Sequence, residues 1–178
     1  MRSVTIARNY AEALFELGER GGQTQRFAEL IDAVAGAVET TPQVQAVLMS
    51  PRVPKSEKAR ILAGALRDAP REFVLFLQAL VKRGRQDILR EIATVYQALL
   101  DIKLNRIRAG VTLARAADES LRRSIQEQLT RQLGKEVIAS FSTDPAILGG
   151  AVVRVGERIH DGSVRRRMTK LRRHLLAR

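Results

Sequence analysis

The residues whose types and spacing could carry chemistry are concentrated in one stretch, ILGGAVVRVGERIHDGSVRRRMTK, at positions 147–170. Its double glycine invites comparison with a phosphate-binding loop. Such a loop follows a strand and opens a helix, so that the helix N-terminus meets the phosphate. Gly149 and Gly150 instead precede a predicted strand, and the spacing is not G-x-G-x-x-G. They therefore predict a close backbone approach at the start of that strand rather than a phosphate site.

Side chains suited to acid–base catalysis or metal binding do not form a recognisable pattern. The two histidines, His160 and His174, fall on different predicted elements and lack H-E-x-x-H spacing. There is no cysteine, which excludes disulfides and thiolate metal sites. The carboxylates are scattered beside Lys and Arg on polar helix faces, where i,i+4 pairs are expected. The sequence thus predicts no catalytic residue, no metal and no cofactor, and hence no enzyme.

The arginine run after Ser163 belongs to a strongly basic chain, in which 31 Lys and Arg against 19 Asp and Glu give a net charge of +12. Such a charge favours nucleic acid, an anionic membrane or acidic proteins as partners. Helical spacing places the apolar residues on one side, namely Val164, Met168, Leu171 and Leu175. The opposite side carries cations, namely Arg166, Lys170 and Arg173. We expect a helix docked on a core by its apolar side.

Nucleic-acid binding remains an alternative at this point. It would account for the charge, although no base-stacking aromatics are interleaved with the arginines and no helix-turn-helix or zinc motif is evident.

The elements that position this stretch begin with helices. Apolar residues recur at helical spacing through the first two thirds of the chain, and Gly18 with Gly21-Gly22 predicts the end of the first helix. The segment from Phe73 to Leu77 is apolar on nearly every side, so its helix should be buried all round, by its own domain or with a partner. Gly84 is expected to be its C′ glycine. A long helix follows over about 86–104, with the apolar stripe Ile88, Ile92, Val95, Leu99 and Ile102.

The hydrophobic period changes to that of a strand after Asn105. A helix with Asp118 as N-cap follows and ends at Gly134; its expected apolar face comprises Leu121, Ile125, Leu129 and Leu133. VIASFST predicts another strand, and Gly156-Glu157 suits a two-residue hairpin turn. We expect three short strands whose sheet needs helices over one face.

The fold class is therefore mainly α, with two domains. An N-terminal bundle of about six helices should occupy residues 1–105, and a small α/β module with a short sheet and flanking helices should occupy residues 106–178. The N-terminus lacks the apolar core of a secretory signal, and no apolar run approaches the ~18 residues needed to span a bilayer. Any membrane association is expected to be peripheral.

Three segments in collinear order carry a resemblance to a known family: ARNYAEALFELGE, FLQALVKRGRQDILREIATVYQALLD and DPAILGGAVVRVGERIHDGSVRRRMTKL. Together they resemble the delta chain of bacterial F-type ATP synthase, whose mitochondrial relative is the oligomycin-sensitivity-conferring protein. The most specific motif is carried here by Gly149, Gly150, Arg154, Gly156, Glu157, Asp161, Gly162, Ser163 and Arg165.

The resemblance implies a non-catalytic stator subunit of the peripheral stalk, present once per complex. It would link the catalytic alpha/beta hexamer to the membrane-anchored b subunits and resist rotor torque during ATP synthesis. It would lie peripherally at the cytoplasmic face of the bacterial inner (plasma) membrane. The family needs no nucleotide, metal or specific nucleic acid.

The resemblance also implies where the partners bind. An N-terminal helix of an alpha subunit would lie in a groove between the first and fifth helices, carried onto Tyr10, Ala11, Leu14, Phe73, Phe76, Leu77 and Leu80. The C-terminal module would meet the b-type stalk subunits. Residues 163–178 are more basic than this task requires, and an acidic stalk partner, an anionic membrane or a basic proteome would each explain the excess.

Overall fold

The computed structural model describes residues 2–176, and describes side chains from residue 5 onward. The chain forms two compact units that divide between Asp101 and Ile102. The first unit is built from six α-helices, the last of which extends two residues past the division. They are α1 (Arg2–Arg20), α2 (Thr24–Thr40), α3 (Pro42–Met49), α4 (Lys55–Ala65), α5 (Arg71–Lys82) and α6 (Leu89–Lys103). A 3-10 turn (Gln86–Ile88) precedes α6. The predicted bundle of about six helices is confirmed.

The core of the first unit is built from the apolar stripes of these helices. Its largest fully buried side chains include Leu14, Phe27, Ile31, Leu48, Phe73, Leu77, Leu80, Ile92 and Tyr96. The rings of Phe27 on α2 and Phe73 on α5 pack with centroids 5.5 Å apart. Removing these apolar surfaces from water is the main force that holds the bundle together.

The first helix ends at Arg20, directly before Gly21-Gly22 as the glycines predict, although it continues past Gly18. Gly18 is buried within α1 because another helix approaches there: a Cβ at this position would lie 2.9 Å from the Tyr96 hydroxyl oxygen. That hydroxyl donates a hydrogen bond to the Thr24 carbonyl, 2.9 Å away. Burial, and to a lesser degree the charge of Glu19, raise the pKa of Tyr96 above its usual range, so the hydroxyl remains a donor.

Helix α5 is not buried all round by its own unit, because Leu75 is 51% exposed while Phe73, Phe76, Leu77, Leu80 and Val81 face the core. Burial of its remaining face by a partner stays a prediction. The expected burial of Ile102 is wrong. Ile102, placed by its spacing in the apolar stripe of α6, is 76% exposed. Ile102 is the first residue of the second unit and lies one residue before the end of α6. The apolar period of a helix does not show where the core that covers it ends.

The end of α5 follows its sequence signals. Gly84 has φ +68, its N–H donates to the Val81 carbonyl, and the next N–H, of Arg85, donates to the Leu80 carbonyl. These two bonds form a Schellman motif, which confirms Gly84 as the C′ glycine.

The second unit contains a four-stranded sheet in the order β2-β1-β3-β4. The strands are β1 (Arg106–Leu113), β2 (Glu136–Thr143), β3 (Ala151–Val155) and β4 (Arg158–Asp161). Strands β1 and β2 are parallel and are joined through α7 (Glu119–Leu133), whereas β1/β3 and β3/β4 are antiparallel. The prediction of three strands is wrong because the hairpin contributes two strands instead of one.

The local signals of this unit are confirmed. Asp118 caps α7 by accepting a hydrogen bond from the Leu121 N–H at 2.8 Å. Gly134 ends the helix at φ 64. The β3–β4 turn consists of Gly156 and Glu157, with Val155 paired to Arg158. Gly156 has φ +58 while Glu157 does not have a positive φ, which is the pattern of a type II′ turn.

Helix packing in this unit is looser than the sequence predicts. The buried apolar residues lie in the sheet and in the 3-10 turn at Pro145–Ile147; they are Ala109, Val111, Leu113, Val137 and Ile147. No residue of α7 is buried, and Leu121 and Leu133 of its expected apolar face are exposed. The last helix, α8 (Val164–Leu176), also buries none of its residues. The expectation that α8 docks on a core by its apolar side is wrong.

Candidate functional site

A surface groove lies between α1 and α5, with a cavity volume of about 490 Å³. Helix α1 contributes one wall and α5 the other; the lining residues are Ile6, Asn9, Tyr10, Ala13, Phe76, Ala79, Arg83 and Arg85. Small side chains on both walls, Ala13 and Ala79, leave the depression open. The groove is therefore mostly apolar, with Asn9 on the α1 wall and two cations at the C-terminal end of α5.

The floor of the groove is held by an aromatic contact. The rings of Tyr10 and Phe76 meet edge to face with centroids 6.2 Å apart, a favoured geometry for aromatic pairs. Tyr10 is half-buried and Phe76 is 9% exposed. An apolar groove of this kind accepts the apolar face of an amphipathic helix, and Arg83 and Arg85 favour carboxylates at one end of the bound segment.

The residues that sequence reasoning assigned to this groove are divided between it and the core. Tyr10 and Phe76 line the groove. Ala11, Leu14, Phe73, Leu77 and Leu80 are almost completely buried in the core of the bundle. The strongest apolar stripe of a helix faces its own domain, so the periodicity points to core positions. The groove residues that the sequence did not predict lie beside that stripe. Two of them, Ala13 and Ala79, are small residues at exposed helix positions, which is only a weak indication of a binding groove.

A second depression, which the sequence did not predict, lies among α2, α3 and α4 and has a volume of about 430 Å³. Its lining is almost entirely apolar and includes Leu30, Val34, Val47, Leu48, Ile61 and Leu62. Ile61 is 43% exposed. Because the sequences of α3 and α4 are only weakly amphipathic, they do not predict an apolar depression here.

In the second unit the two halves of the C-terminal motif meet at one place, where β4 ends and α8 begins. We call this place the α8 junction, comprising Gly149, Gly150, Asp161, Gly162 and Ser163. The N–H of Val164 donates to the Gly149 carbonyl, and the N–H of Gly162 donates to the Ala151 carbonyl, both at 3.0 Å. The backbone preceding β3 is thus bonded to the backbone that opens α8.

This approach requires a glycine at position 150 and leaves little room for a side chain at position 149. Gly150 has φ +77, and a Cβ there would lie 2.5 Å from the Gly162 carbonyl oxygen. A Cβ at Gly149 would lie 3.1 Å from the Val164 side chain. The double glycine therefore permits close backbone packing, as the sequence predicted.

Ser163 is completely buried and caps α8. Its hydroxyl accepts a hydrogen bond from the Arg166 N–H at 3.1 Å, and its own N–H donates to Oδ1 of Asp161 at 2.9 Å. Hydrogen bonds from Ser163, first from its hydroxyl and then from its N–H, lower the pKa of Asp161, with smaller contributions from Arg166 and Arg165. The carboxylate is thus ionised at neutral pH and holds the first turn of the helix.

The other motif residues surround the junction. Gly156 and Glu157 form the β3–β4 turn, and Nε of Arg154 donates to the Gly156 carbonyl at 3.3 Å. Arg165 is exposed on α8. Both histidines are also exposed, His160 on β4 and His174 on α8.

Within residues 2–176, the structure contains no group of three or more His, Asp or Glu side chains placed to hold a metal ion. Among the described helices, none is both long and apolar enough to cross a membrane.

Comparison with known proteins assigns the chain to a family. Residues 6–175 match the family model described as ATP synthase delta (OSCP) subunit. A protein named ATP synthase subunit delta from Gemmatimonas aurantiaca is 40% identical over 96% of this chain and 93% of its own length. Another protein of that name, from Desulfotalea psychrophila, is 32% identical over 100% of this chain and 99% of its own.

A solved structure shares the fold. A chain in the cryo-EM structure of the Toxoplasma gondii mitochondrial ATP synthase hexamer matches with a TM-score of 0.67 and 19% identity, covering 97% of this chain and 98% of that chain. The sequence matches span nearly the full chain and include both the helical unit and the α8 junction. The chain belongs to the ATP synthase delta (OSCP) subunit family.

Proposed function

We propose that this protein is a non-catalytic stator subunit of the peripheral stalk of a proton-translocating F-type ATP synthase. One copy per complex links the catalytic alpha/beta head to the membrane-anchored b stalk and resists rotor torque. The protein lies peripherally, at the cytoplasmic face of the bacterial inner membrane. A stator needs durable protein contacts rather than an active site, and large apolar contacts dissociate slowly.

The observation that carries the proposal is the α1/α5 groove. It has an apolar floor at Tyr10 and Phe76, open walls at Ala13 and Ala79, and a cationic end. These features suit one amphipathic helix lying along the groove. We assign it to the N-terminal helix of an alpha subunit, so that the helical unit of residues 1–105 contacts the head.

The second contact is assigned to residues 106–178, which meet the b-type stalk subunits. Support comes from the exposed apolar residues of α8, including Met168 and Leu171, which are unburied in this chain. A module whose last helix keeps its apolar side exposed is suited to packing against another protein.

Nucleic-acid binding, the alternative left open by the charge, rests on the net charge of +12 alone. Charge of this kind gives weak attraction that depends steeply on salt. Membership of the delta (OSCP) family favours protein partners instead.

The groove is tested by titrating the full chain with a synthetic peptide of the alpha-subunit N-terminus from the same organism, followed by calorimetry. Ala79 is exposed in the groove, so Ala79→Asp places a charge on the peptide's path with little effect on the fold. We expect at least about a tenfold loss of affinity, which corresponds to 1.4 kcal/mol.

The matched control is Leu75→Asp, which places the same charge on the same helix at an exposed position outside the groove lining. It should bind like the wild type. Equal affinities for all three proteins, or no binding by the wild type, would exclude the α1/α5 groove as the alpha-subunit site.

A further inference from the structure

Helix α8 is joined to the rest of its unit by hydrogen bonds at its N-terminal end, and it also lies near the 3-10 turn Pro145–Ile147. Its first residue, Val164, is bonded through its N–H to Gly149, and Ser163, immediately before it, is completely buried. Every residue from Val164 to Leu176 is exposed, and the large apolar side chains among them are 41% to 76% exposed. The α8 junction is thus the part of the unit that determines the direction of the helix.

The exposed surface of α8 has a definite chemical pattern. Successive residues of an α-helix are about 100° apart, so Val164, Met168, Leu171 and Leu175 form one narrow apolar stripe. On the same geometry, Arg167 borders the stripe on one side and Arg172 on the other. Between Val164 and Leu176 there are six Arg or Lys residues and no Asp or Glu.

This pattern specifies the chemistry of a complementary surface. An apolar stripe bordered by arginines on both sides fits a helix whose own apolar stripe is bordered by carboxylates, because each arginine can then form a charge-assisted hydrogen bond at the rim of the contact. A helical partner also matches the straight shape of the stripe.

We propose that the α8 junction is a positioning device, which fixes the direction of α8 so that its apolar stripe and bordering arginines dock on an acidic, amphipathic helix of the peripheral stalk. This inference rests on the proposed function. It goes further in naming the element that docks, the residues that orient it and the charge of the partner. Gly150 and Ser163 act through α8 and do not themselves contact the partner.

The orientation is tested by electron spin-echo distance measurements. The natural chain has no cysteine, so a pair of spin labels attached at Gln128→Cys on α7 and Arg172→Cys on α8 reports the direction of α8 directly. Both positions are exposed. We expect a narrow distance distribution in the otherwise unchanged chain and a broader or shifted one after Gly150→Ala.

The matched control is Gly156→Ala. Gly156 also has a positive φ, of +58, but a Cβ there meets nothing within 4 Å. Gly156→Ala therefore introduces the same positive-φ strain as Gly150→Ala but does not obstruct the α8 junction. The distance distribution between the two spin labels should stay narrow. Should Gly150→Ala not fold, Ser163→Ala, which removes the buried cap of α8, takes its place. A distribution unchanged in the junction variant overturns the positioning role.

Docking is tested on the unlabelled full chain with the soluble part of the b-type stalk subunit from the same organism as the probe. Gly150→Ala should lower its affinity at least about tenfold, while affinity for the alpha-subunit peptide stays unchanged. A broadened distribution with undiminished stalk affinity overturns the docking role of α8 and leaves the proposed function standing. A wild-type chain that does not bind the stalk fragment contradicts the proposed function of this module, and the distance measurement still decides the junction's role.

The acidic character of the partner is tested separately by replacing the two bordering arginines together, Arg167→Gln with Arg172→Gln. Stalk affinity should fall and should lose most of its salt dependence. Two other occupants give different results: binding to phosphatidylglycerol vesicles as tight as to the stalk fragment, or self-association of the chain that Met168→Asp abolishes, would overturn the acidic helix as the occupant.

Discussion

Gly150 and Gly162 approach each other so closely that a side chain at position 150 has no room: its Cβ would lie 2.5 Å from the Gly162 carbonyl oxygen. The two glycines come from opposite ends of the β3–β4 hairpin, and their contact joins the start of β3 to the start of α8. This backbone contact therefore explains why the motif has glycines at positions 150 and 162.

Gly150→Ala should be among the most destabilising single changes in the second unit. The substitution combines a positive φ, which costs about 1–2 kcal/mol for a non-glycine residue, with displacement of the Gly162 backbone. We expect the free energy of unfolding to fall by about 2 kcal/mol or more. Gly156→Ala, with the strain alone, should cost only about 1 kcal/mol. Urea unfolding followed by circular dichroism measures both, and equal losses would contradict the close contact.

The ionised Asp161 should make the α8 junction sensitive to acid. Hydrogen bonds from Ser163 lower the pKa of Asp161 below its ordinary value of 3.8. A lowered folded-state pKa contributes stability that is present above the unfolded-state pKa and is lost as pH falls through the folded-state value. The difference in free energy of unfolding between the wild type and Asp161→Asn should therefore narrow below pH 3.8.

Comparing the two proteins at each pH isolates this effect, since the capping carboxylate of Asp118, whose pKa is also lowered, is present in both. A difference that stays constant from neutral pH to well below 3.8 would show that the Asp161 charge does not support the junction.

Features set by neighbouring residues could be predicted from the sequence. The cap at Asp118, the Schellman glycine Gly84 and the Gly156-Glu157 turn each depend on residues within about four positions. The period of apolar residues likewise predicted the helices and most of the core of the first unit. These signals depend on residues that are close together in the sequence, so they do not require knowledge of how the elements pack.

Features set by distant residues could not be predicted in the same way. In the sequence, Gly18 resembled part of a helix end. Its role in the structure depends instead on Tyr96, which lies far along the chain. The groove lies beside the strongest apolar stripes of α1 and α5, so periodicity pointed to Leu14 and Leu80 in the core. The apolar stripe of α8 predicted burial, since an amphipathic pattern does not say whether the surface that covers it belongs to the same chain.

The contact between Gly18 and Tyr96 should appear as an energetic coupling. Gly18→Ala places a methyl group against the Tyr96 hydroxyl and should destabilise the first unit. Tyr96→Phe removes the hydrogen bond from the Tyr96 hydroxyl to the Thr24 carbonyl and should cost about 1 kcal/mol. In the double variant the hydroxyl that obstructs the methyl group is gone, so the combined loss should be smaller than the two single losses together. Strict additivity in a double-mutant cycle would contradict this contact.

Arg90 should stabilise the first unit by a modest, salt-dependent amount. It joins α6 to α2 by donating to Glu39 through Nε and Nη2, at 2.9 and 2.6 Å, and to Asp32 through Nη1 at 2.8 Å. Its side chain is 40% exposed, so solvent screens these ion pairs. We expect Arg90→Met, which keeps most of the apolar stem, to lower the free energy of unfolding by about 1 kcal/mol at low salt. The loss should shrink in 1 M salt, where the screening length is about 3 Å. Arg60→Met is the control. Among the residues that the structure describes, Arg60 forms an ion pair only with Glu57, on its own helix. Its side chain is 78% exposed, so this substitution should change stability by less. Equal and salt-independent effects of the two substitutions would show that the Arg90 ion pairs do not stabilise the bundle.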